Sequence, residues 1–349
     1  MNGAPPTSAR SSATDPSGGH RGHVPPVAAD VARPLWSVMV PTFNCGVYLR
    51  DTLESVLAQD PGPEVMQIEV VDDCSTADDP AEAVRELGPD RIRFHRQPRN
   101  VGHVRNFQTC LLRARGRLVH LLHGDDAVLP GFYATMQRAF EEQPVIGAAF
   151  CRHVFIDGEG RRKRLPDPEQ PAAGIMPDGL LHVAAGQPFQ TPAAVVRRDV
   201  YEQLGGFDRR LAYCGEDWEM WVRIAAHYPV WYEPEPLALY RRHTLAPGSL
   251  TGRSLRTGEN LKDLRRAVGI YEAYLPAGEA PAVRKRILSR CADWGIGLAN
   301  NLLAAGQPAA AAAQLREALL CRASPRTAAR AAVLASRVAG AWLRSLRAP

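Results

Sequence analysis

From Trp36 to about residue 130 the chain repeats one pattern, a short apolar run of strand length followed by a stretch whose apolar residues recur at helical spacing. That alternation restricts the fold to an α/β sheet with crossover helices, because only helices returning over the sheet cover such strands. SVMV at 37–40 reads as the first buried strand, with Leu49, Leu53, Val56 and Leu57 on the helix behind it. A second strand over 68–71, a short helix over 82–87 and a third strand over 92–95 follow. The helix bearing Val104, Phe107, Leu111 and Leu112 then feeds a fourth strand over 118–122. After Pro130 the pattern predicts a helix to about Glu142 and an apolar run over 146–156, turning at the glycines of 158–160 into a hairpin. Residues 161–179, rich in Pro and charge and without a period, read as a loop over one face. A strand over 193–196, an amphipathic helix over 218–226 and two closing strands over 230–232 and 237–240 complete the sheet region. Beyond about residue 249 the pattern is helical, broken at Pro276, Gly306 with Pro308, and Pro325. The organisation expected is a disordered segment over 1–34, an α/β catalytic domain over 35–249 and a helical C-terminal subdomain over 250–349.

A chain of 349 residues with 45% hydrophobic content buries a sizeable core. Its net charge of +5 is uneven: no acid follows Glu317, whereas six arginines do, so everything before that point carries −1. A nearly neutral body lacks the basic face of a general nucleic-acid binder, and no nucleic-acid partner is expected. The seven cysteines are odd in number and scattered, with no C-x-x-C pair, as suits reduced thiols and not a zinc site. No apolar run approaches the roughly 20 residues that span a bilayer, and the N-terminus lacks a secretory core. The expected location is the cytoplasm.

Two strands end in paired acids, Asp72 with Asp73 and Asp125 with Asp126. In an open α/β sheet, ligands bind beyond the carboxyl ends of the strands. Four acids there repel one another unless a cation or a donor-rich ligand lies among them, and a divalent ion shared with substrate phosphates meets that need. The plain alternative is that each pair caps a helix or shapes a turn. Neither G-x-G-x-x-G after the first strand nor G-x-x-x-x-G-K-[ST] anywhere is present, which disfavours dinucleotide dehydrogenases and P-loop enzymes.

Seven segments then occur in order: SVMVPTFN at 37–44, VVDDCST at 70–76, NVGHVRN at 100–106, HGDDAVLPG at 123–131, GGFD at 205–208, GEDWEMW at 215–221 and YRRH at 240–243. Together they resemble the family 2 glycosyltransferases, over roughly 36–249. The resemblance implies the GT-A fold, a Rossmann-like mixed sheet flanked by helices, and an inverting transfer from a nucleotide-diphosphate-sugar donor. It implies that Pro41, Thr42, Phe43, Asn44 and Asp73 hold the base and ribose. Asn100, Gly102 and Arg105 would line the nucleotide and diphosphate. Asp125 matches the last acid of the D-x-D metal motif, with Asp126 beside it, for a divalent metal, Mn2+ or Mg2+. His123 stands where that motif often has its first Asp, a departure from the family pattern. Asp217 matches the general base, Glu216 is the lesser candidate with a part in acceptor binding, and His243 matches a histidine that reaches the metal or diphosphate. The acceptor implied is a glycan or lipid-linked hydroxyl.

Other features have plainer readings. Trp218, Trp221 and Ile224 recur at helical spacing as core residues, Gly205 and Gly206 permit a turn, and Cys74 replaces a glycine common in the family. On the last helix Arg326, Arg330, Arg337 and Arg344 fall nearly in line with Arg347 adjacent, opposite Leu334, Val338, Trp342 and Leu346. This stripe suits peripheral membrane contact through 326–347, although the plainer reading is a helix docked on the catalytic domain with its arginines solvated. Two rivals to the enzyme reading are a non-catalytic nucleotide-sugar-binding scaffold and a sugar nucleotidyltransferase. The latter needs a basic loop after the first strand, where 41–46 has no Lys or Arg.

Overall fold

The computed structural model describes residues 19–242 and 250–345. The first half contains β1 (Trp36–Thr42), α1 (Gly46–Leu57), β2 (Met66–Asp72), α2 (Pro80–Leu87), β3 (Ile92–Arg96), α3 (His103–Arg113), β4 (Leu118–Leu121), β5 (Ala127–Val128), α4 (Phe132–Glu142) and β6 (Ala148–Ile156). There follow β7 (Arg162–Arg164), β8 (Gly174–Ile175), α5 (Gly179–Ala184), β9 (Ala194–Arg197), α6 (Arg198–Leu204), α7 (Glu216–His227) and β10 (Val230–Arg241). Five helices close the described chain: α8 (Leu250–Thr257), α9 (Glu259–Tyr271), α10 (Ala280–Ala304), α11 (Pro308–Cys321) and α12 (Pro325–Ser345).

The strands form one mixed sheet in the order β3-β2-β1-β4-β9-β6-β10-β5, with β7 added to β6 and β8 to β10. β1, β2, β3 and β4 are mutually parallel, β9 runs antiparallel between β4 and β6, and β10 is parallel to β6. The carboxyl ends of β1, β2, β4, β6 and β10 therefore share one edge. Alternation along β1 sends Val38 and Val40 to a core with Leu49, Leu53, Phe132 and Met136, and Met39 to the opposite core with Phe107, Phe150 and Trp221. That second core runs on through Leu261, Val268, Ile287 and Leu315, so the C-terminal helices share a hydrophobic interior with the sheet. Two of the prolines that interrupt the helical pattern begin helices: Pro308 opens α11 and Pro325 opens α12, whose amide at Thr327 is capped by Ser324 Oγ at 3.1 Å, whereas Pro276 lies in the connection before α10.

Several expectations change. The two closing strands are one, β10, with register shifts between Glu233 and Ala238 where Pro236 cannot donate to the ladder. Leu112, placed with the core residues of α3, is exposed. The loop over 161–179 holds the short strands β7 and β8. The disordered reading of 1–34 fails for 19–34, while 1–18 lie outside the described residues. Arg21 bridges Asp208, Val24 is fully buried, and side chains distant in sequence hold the segment's carbonyls: Gln108 at His23, Arg198 at Pro25, Arg209 at His20. Arg21 also reaches Glu219 at 3.0 Å and Tyr274 Oη at 2.6 Å. Glu219 in turn binds Arg223, whose guanidinium donates to the carbonyls of Leu204, Gly205 and Gly206, so this strap is stapled to α7. Gly116 packs where an added Cβ would lie 2.4 Å from the carbonyl carbon of Trp36. Gly116→Ala is accordingly expected to destabilise the fold by about 3 kcal/mol or more, since the obstacle is backbone; a chemical-denaturation midpoint unchanged from the parent would contradict this.

Candidate active site

At the shared edge, the loops after β1 and β2 and the start of α3 meet. The Asp73 amide donates to Thr42 O at 2.9 Å, and the Asp73 carboxylate accepts from the amides of Val101 (2.7 Å) and Gly102 (2.9 Å). Burial lifts the Asp73 carboxyl above its usual range despite those donors. Asn44, in the left-handed region at φ 51°, spends its side-chain oxygen on the amides of Thr76 (2.8 Å) and Ala77 (3.0 Å), so it pins one loop to the other. Phe43 stands 44% exposed, and Asn100 and Arg105 are exposed at the start of α3. Pro41 and Thr42 are buried, and the Pro41 carbonyl accepts from the Gly124 amide at 3.0 Å.

Of the first acid pair, Asp72 is fully buried and closes a turn, accepting from Ser75 Oγ at 2.6 Å and from its amide. It is structural, as the plain alternative held for part of the pair. The residue after the pair, Cys74, has φ 62°, which explains why a glycine suits this position: an L-residue in that region costs about 1 kcal/mol. Cys74→Gly is expected to leave stability unchanged or raise it by up to about 1 kcal/mol, readable as a denaturation midpoint.

The second pair sits in a tight turn after β4, where the Asp126 amide donates to His123 O at 3.0 Å. His123, Asp125 and Asp126 bring one ligand atom each to within 4.8 Å of one another. Asp126 Oδ1 accepts from the Arg241 amide at 2.8 Å, but its Oδ2 is buried without a hydrogen-bond partner, as is His123 Nε2. Burial and the charge of Asp125 hold the Asp126 carboxyl well above the usual range, and burial keeps the His123 imidazole neutral. Two orphaned, buried ligand atoms beside a third ligand, the Asp125 carboxylate, fit a divalent cation. The guanidinium of Arg241 locks the turn, donating to Asp125 O at 2.7 Å and to the carbonyls of Asp157 and Gly158 while lying 4.4 Å over the Tyr48 ring.

The third group is the acid pair opening α7. Glu216 and Asp217 follow Gly215, whose φ of 82° starts the helix, and both lie in its first turn, where the helix dipole favours negative charge. Asp217 accepts from Gln187 Nε2 at 2.6 Å, Thr191 Oγ1 at 3.3 Å and the Trp218 amide at 2.7 Å. Burial, then the neighbouring Glu216 charge, pushes its carboxyl up to about 7. Glu216 goes the other way: burial opposes ionisation, but His103, 3.2 Å away, outweighs it and holds the carboxyl below its ordinary range. Two carboxyls whose surroundings drive them apart in acidity can divide the work of holding charge and accepting a proton. Burial raises the Tyr240 phenol, and the charges of Asp126, Asp217 and Asp125 add to that rise.

Sequence reading had not singled out His103, Gln187, Thr191, Tyr240 or Arg241. His103, Tyr240 and Arg241 lay inside quoted motifs; Gln187 and Thr191 sit in an irregular stretch with no local signal. Trp218 and Trp221 are core residues, the former donating Nε1 to Val183 O at 2.8 Å. His243 lies outside the described residues.

The model for glycosyl transferase family 2 matches residues 37–205. An uncharacterized protein of Mycobacterium tuberculosis is 35% identical over 252 residues, 69% of this chain and 76% of that protein. The chain belongs to glycosyl transferase family 2. A protein of Mycoplasma pneumoniae described as an uncharacterized glycosyltransferase is 26% identical over 247 residues, 68% of this chain and 78% of its own. Among solved structures, S. aureus TarS 1-349 in complex with UDP-GlcNAc superposes with a TM-score of 0.61 at 15% identity, covering 89% of this chain and 92% of that one. The mannosyltransferase PcManGT of Pyrobaculum calidifontis, in complex with GDP-Man and Mn2+, superposes with a TM-score of 0.51 at 19% identity, covering 93% and 90%. The fold is thus GT-A, and this family 2 chain is a glycosyltransferase.

The family 2 chain uses α12 differently from a helix lying free on a bilayer. Ala331, Leu334 and Val338 are buried against the protein, Arg330 pairs with Asp293, and Arg337 donates to Asn300 at 3.0 Å. The docked alternative therefore describes the stretch to Ala339; the side chains of Trp342 and Arg344, and all of Leu346 and Arg347, lie outside the described residues. Among the described residues, no helix is long and apolar enough to cross a membrane.

Proposed function

We propose that the protein is an inverting glycosyltransferase that moves a sugar from a nucleotide-diphosphate donor to a hydroxyl of a glycan or lipid-linked acceptor. The observation that carries this reading is the nearness of two acid groups, the His123, Asp125, Asp126 cluster and the Glu216, Asp217 pair, joined by the ring contacts of His123 with Phe107 and of Phe107 with His103, which in turn reaches Glu216. On this reading the nucleoside lies against 41–44 and Asp73, with Phe43 offering a ring face. Arg105 and the exposed end of α3 face the diphosphate. His123, Asp125 and Asp126 would hold a divalent ion, Mn2+ or Mg2+, which when bound neutralises charge growing on the leaving diphosphate. His243 would join it there.

Asp217 takes the proton from the acceptor hydroxyl as that oxygen attacks the anomeric carbon from the face opposite the diphosphate. With a pKa near 7 the carboxylate is a stronger base than an ordinary aspartate and is still substantially ionised at neutral pH. The TarS and PcManGT structures, whose complexes contain UDP-GlcNAc and GDP-Man, support the donor class by fold. Location at the cytoplasmic side of a membrane would, for the stretch of α12 to Ala339, rest on electrostatics, since Ala331, Leu334 and Val338 are buried against the protein. If so, replacing Arg326, Arg330 and Arg337 together by Gln abolishes binding to anionic vesicles at low salt; unchanged sedimentation with vesicles refutes it.

The test of the main reading is a thermal-shift screen of UDP, GDP, dTDP and CDP sugars with and without Mn2+ or Mg2+. Metal-dependent stabilisation by one nucleotide family is the expected result. A flat response to all of them refutes it.

A further inference from the structure

Asp73 at the end of β2 and Glu216 at the start of α7 are joined through three consecutive residues. The amides of Val101 and Gly102 donate to the Asp73 carboxylate, and the next residue, His103, places Nε2 3.2 Å from Glu216 Oε1. Gly102, at φ 86°, turns the chain here, so that two successive amides face one carboxylate and the following imidazole faces another. The imidazole is also oriented from behind. It lies edge-on to Phe107 with ring centroids 5.4 Å apart, and Phe107 stacks on His123 at 5.0 Å. Glu216 is held at one oxygen only, its Oε2 being buried with no hydrogen-bond partner.

The groups facing this pair come from five elements: Asp73 from β2, His123 from the acid turn, Cys214 from the approach to α7, Asp217 on α7 and Asp263 from α9. Burial opposes a charge on His103, but Glu216, then Asp217 and Asp263, outweigh it and raise the imidazole's pKa. A cation at this point offsets part of the repulsion that two adjacent buried carboxylates would otherwise suffer.

We propose that His103 is a positioning residue: by clamping Glu216 Oε1, it sets where Glu216 Oε2 and the adjoining Asp217 stand relative to a donor bound at Asp73. The segment 101–103 thereby ties the donor end of the site to the acid pair. The kinetic consequence rests on the glycosyl-transfer reading, whereas the clamp rests on the geometry alone. Its direct test is an NMR titration of the histidines in the full-length wild type, Glu216→Gln and His103→Phe, the last assigning the signal. His103 is expected to titrate above the ordinary histidine value of about 6.5 in wild type and below it in Glu216→Gln. An unchanged titration in Glu216→Gln overturns the clamp.

With the nucleotide sugar found by the screen, His103→Phe should lower kcat by about 10- to 100-fold with donor KM held within about threefold, the size expected of misplacement. His103→Lys, which keeps a cation, should recover part of that loss. The double variant His103→Phe with Glu216→Gln should be no slower than the slower single one by more than about twofold, because the two act as one unit. Multiplying losses overturn the coupling. A protein that turns over no nucleotide sugar would defeat the glycosyl-transfer reading while the titration still decides the clamp.

Discussion

Asp217→Asn is expected to cut transfer by about 10³- to 10⁴-fold while donor affinity stays within a few-fold, because the lost proton acceptor acts in the transition state. The measurement is kcat alongside calorimetric donor binding. An equal loss of binding would move Asp217 from base to ligand. In the wild type, kcat/KM should rise with pH through about 7 as the carboxyl ionises. Glu216→Gln removes the second-largest cause of that elevation, so the acid limb should move to lower pH even though overall rate falls.

Asp217→Asn should also stabilise the fold. A carboxyl whose folded pKa is raised contributes fully to stability below the unfolded value near 4, and that contribution is lost as pH rises through about 7. At pH 8 the native state therefore carries an ionised carboxylate in a site that favours the protonated form. Asparagine keeps an acceptor for Gln187 and Thr191 without the charge. Asp217→Asn should raise Tm by a few degrees at pH 8, about 2 kcal/mol, and by little at pH 5. A pH-independent change in Tm would contradict this account. A stabilising loss of function is what a site built at some cost to the fold should show.

Asp125→Ala is expected to abolish metal-dependent nucleotide binding, a loss of at least about 100-fold in affinity at saturating metal. The fold should survive, because the turn is held by backbone groups that the substitution leaves in place: Asp125 O to Arg241, and the Asp126 amide to His123 O. The comparison is donor binding by calorimetry in Mn2+ and in chelator. Wild-type and variant curves that coincide in both conditions would place the metal elsewhere. His123→Asp, which restores the commoner acid of the motif, should tighten metal binding, since a carboxylate replaces a neutral imidazole held without charge by burial.

Local periodicity was enough to place the sheet strands and helices from β1 to β4, because continuous apolar runs and helical spacing are properties of neighbouring residues. The acids after β2 and β4 were legible for the same reason, as abrupt breaks in apolar runs. Their division of labour was not: Asp72 closes a turn through Ser75 while Asp73 is gripped by amides from 28 and 29 residues further on. Nor did the sequence show that Asn44 spends its oxygen on the neighbouring loop. The 19–34 segment lacks periodicity and reads as disorder, yet Gln108, Arg198, Arg209 and Glu219 satisfy it across long separations. The arginine stripe of α12 was visible, but which way its apolar face turned depended on α10 and α11.

By itself, then, the sequence determined the α/β class, the family motifs and their order, since these are written in contiguous residues. Only the tertiary structure decided which acids stay ionised and which resist it. His103 and Glu216 are 113 residues apart in the chain yet 3.2 Å apart in space, and ionisation in a buried site depends on that kind of proximity, which no local pattern encodes.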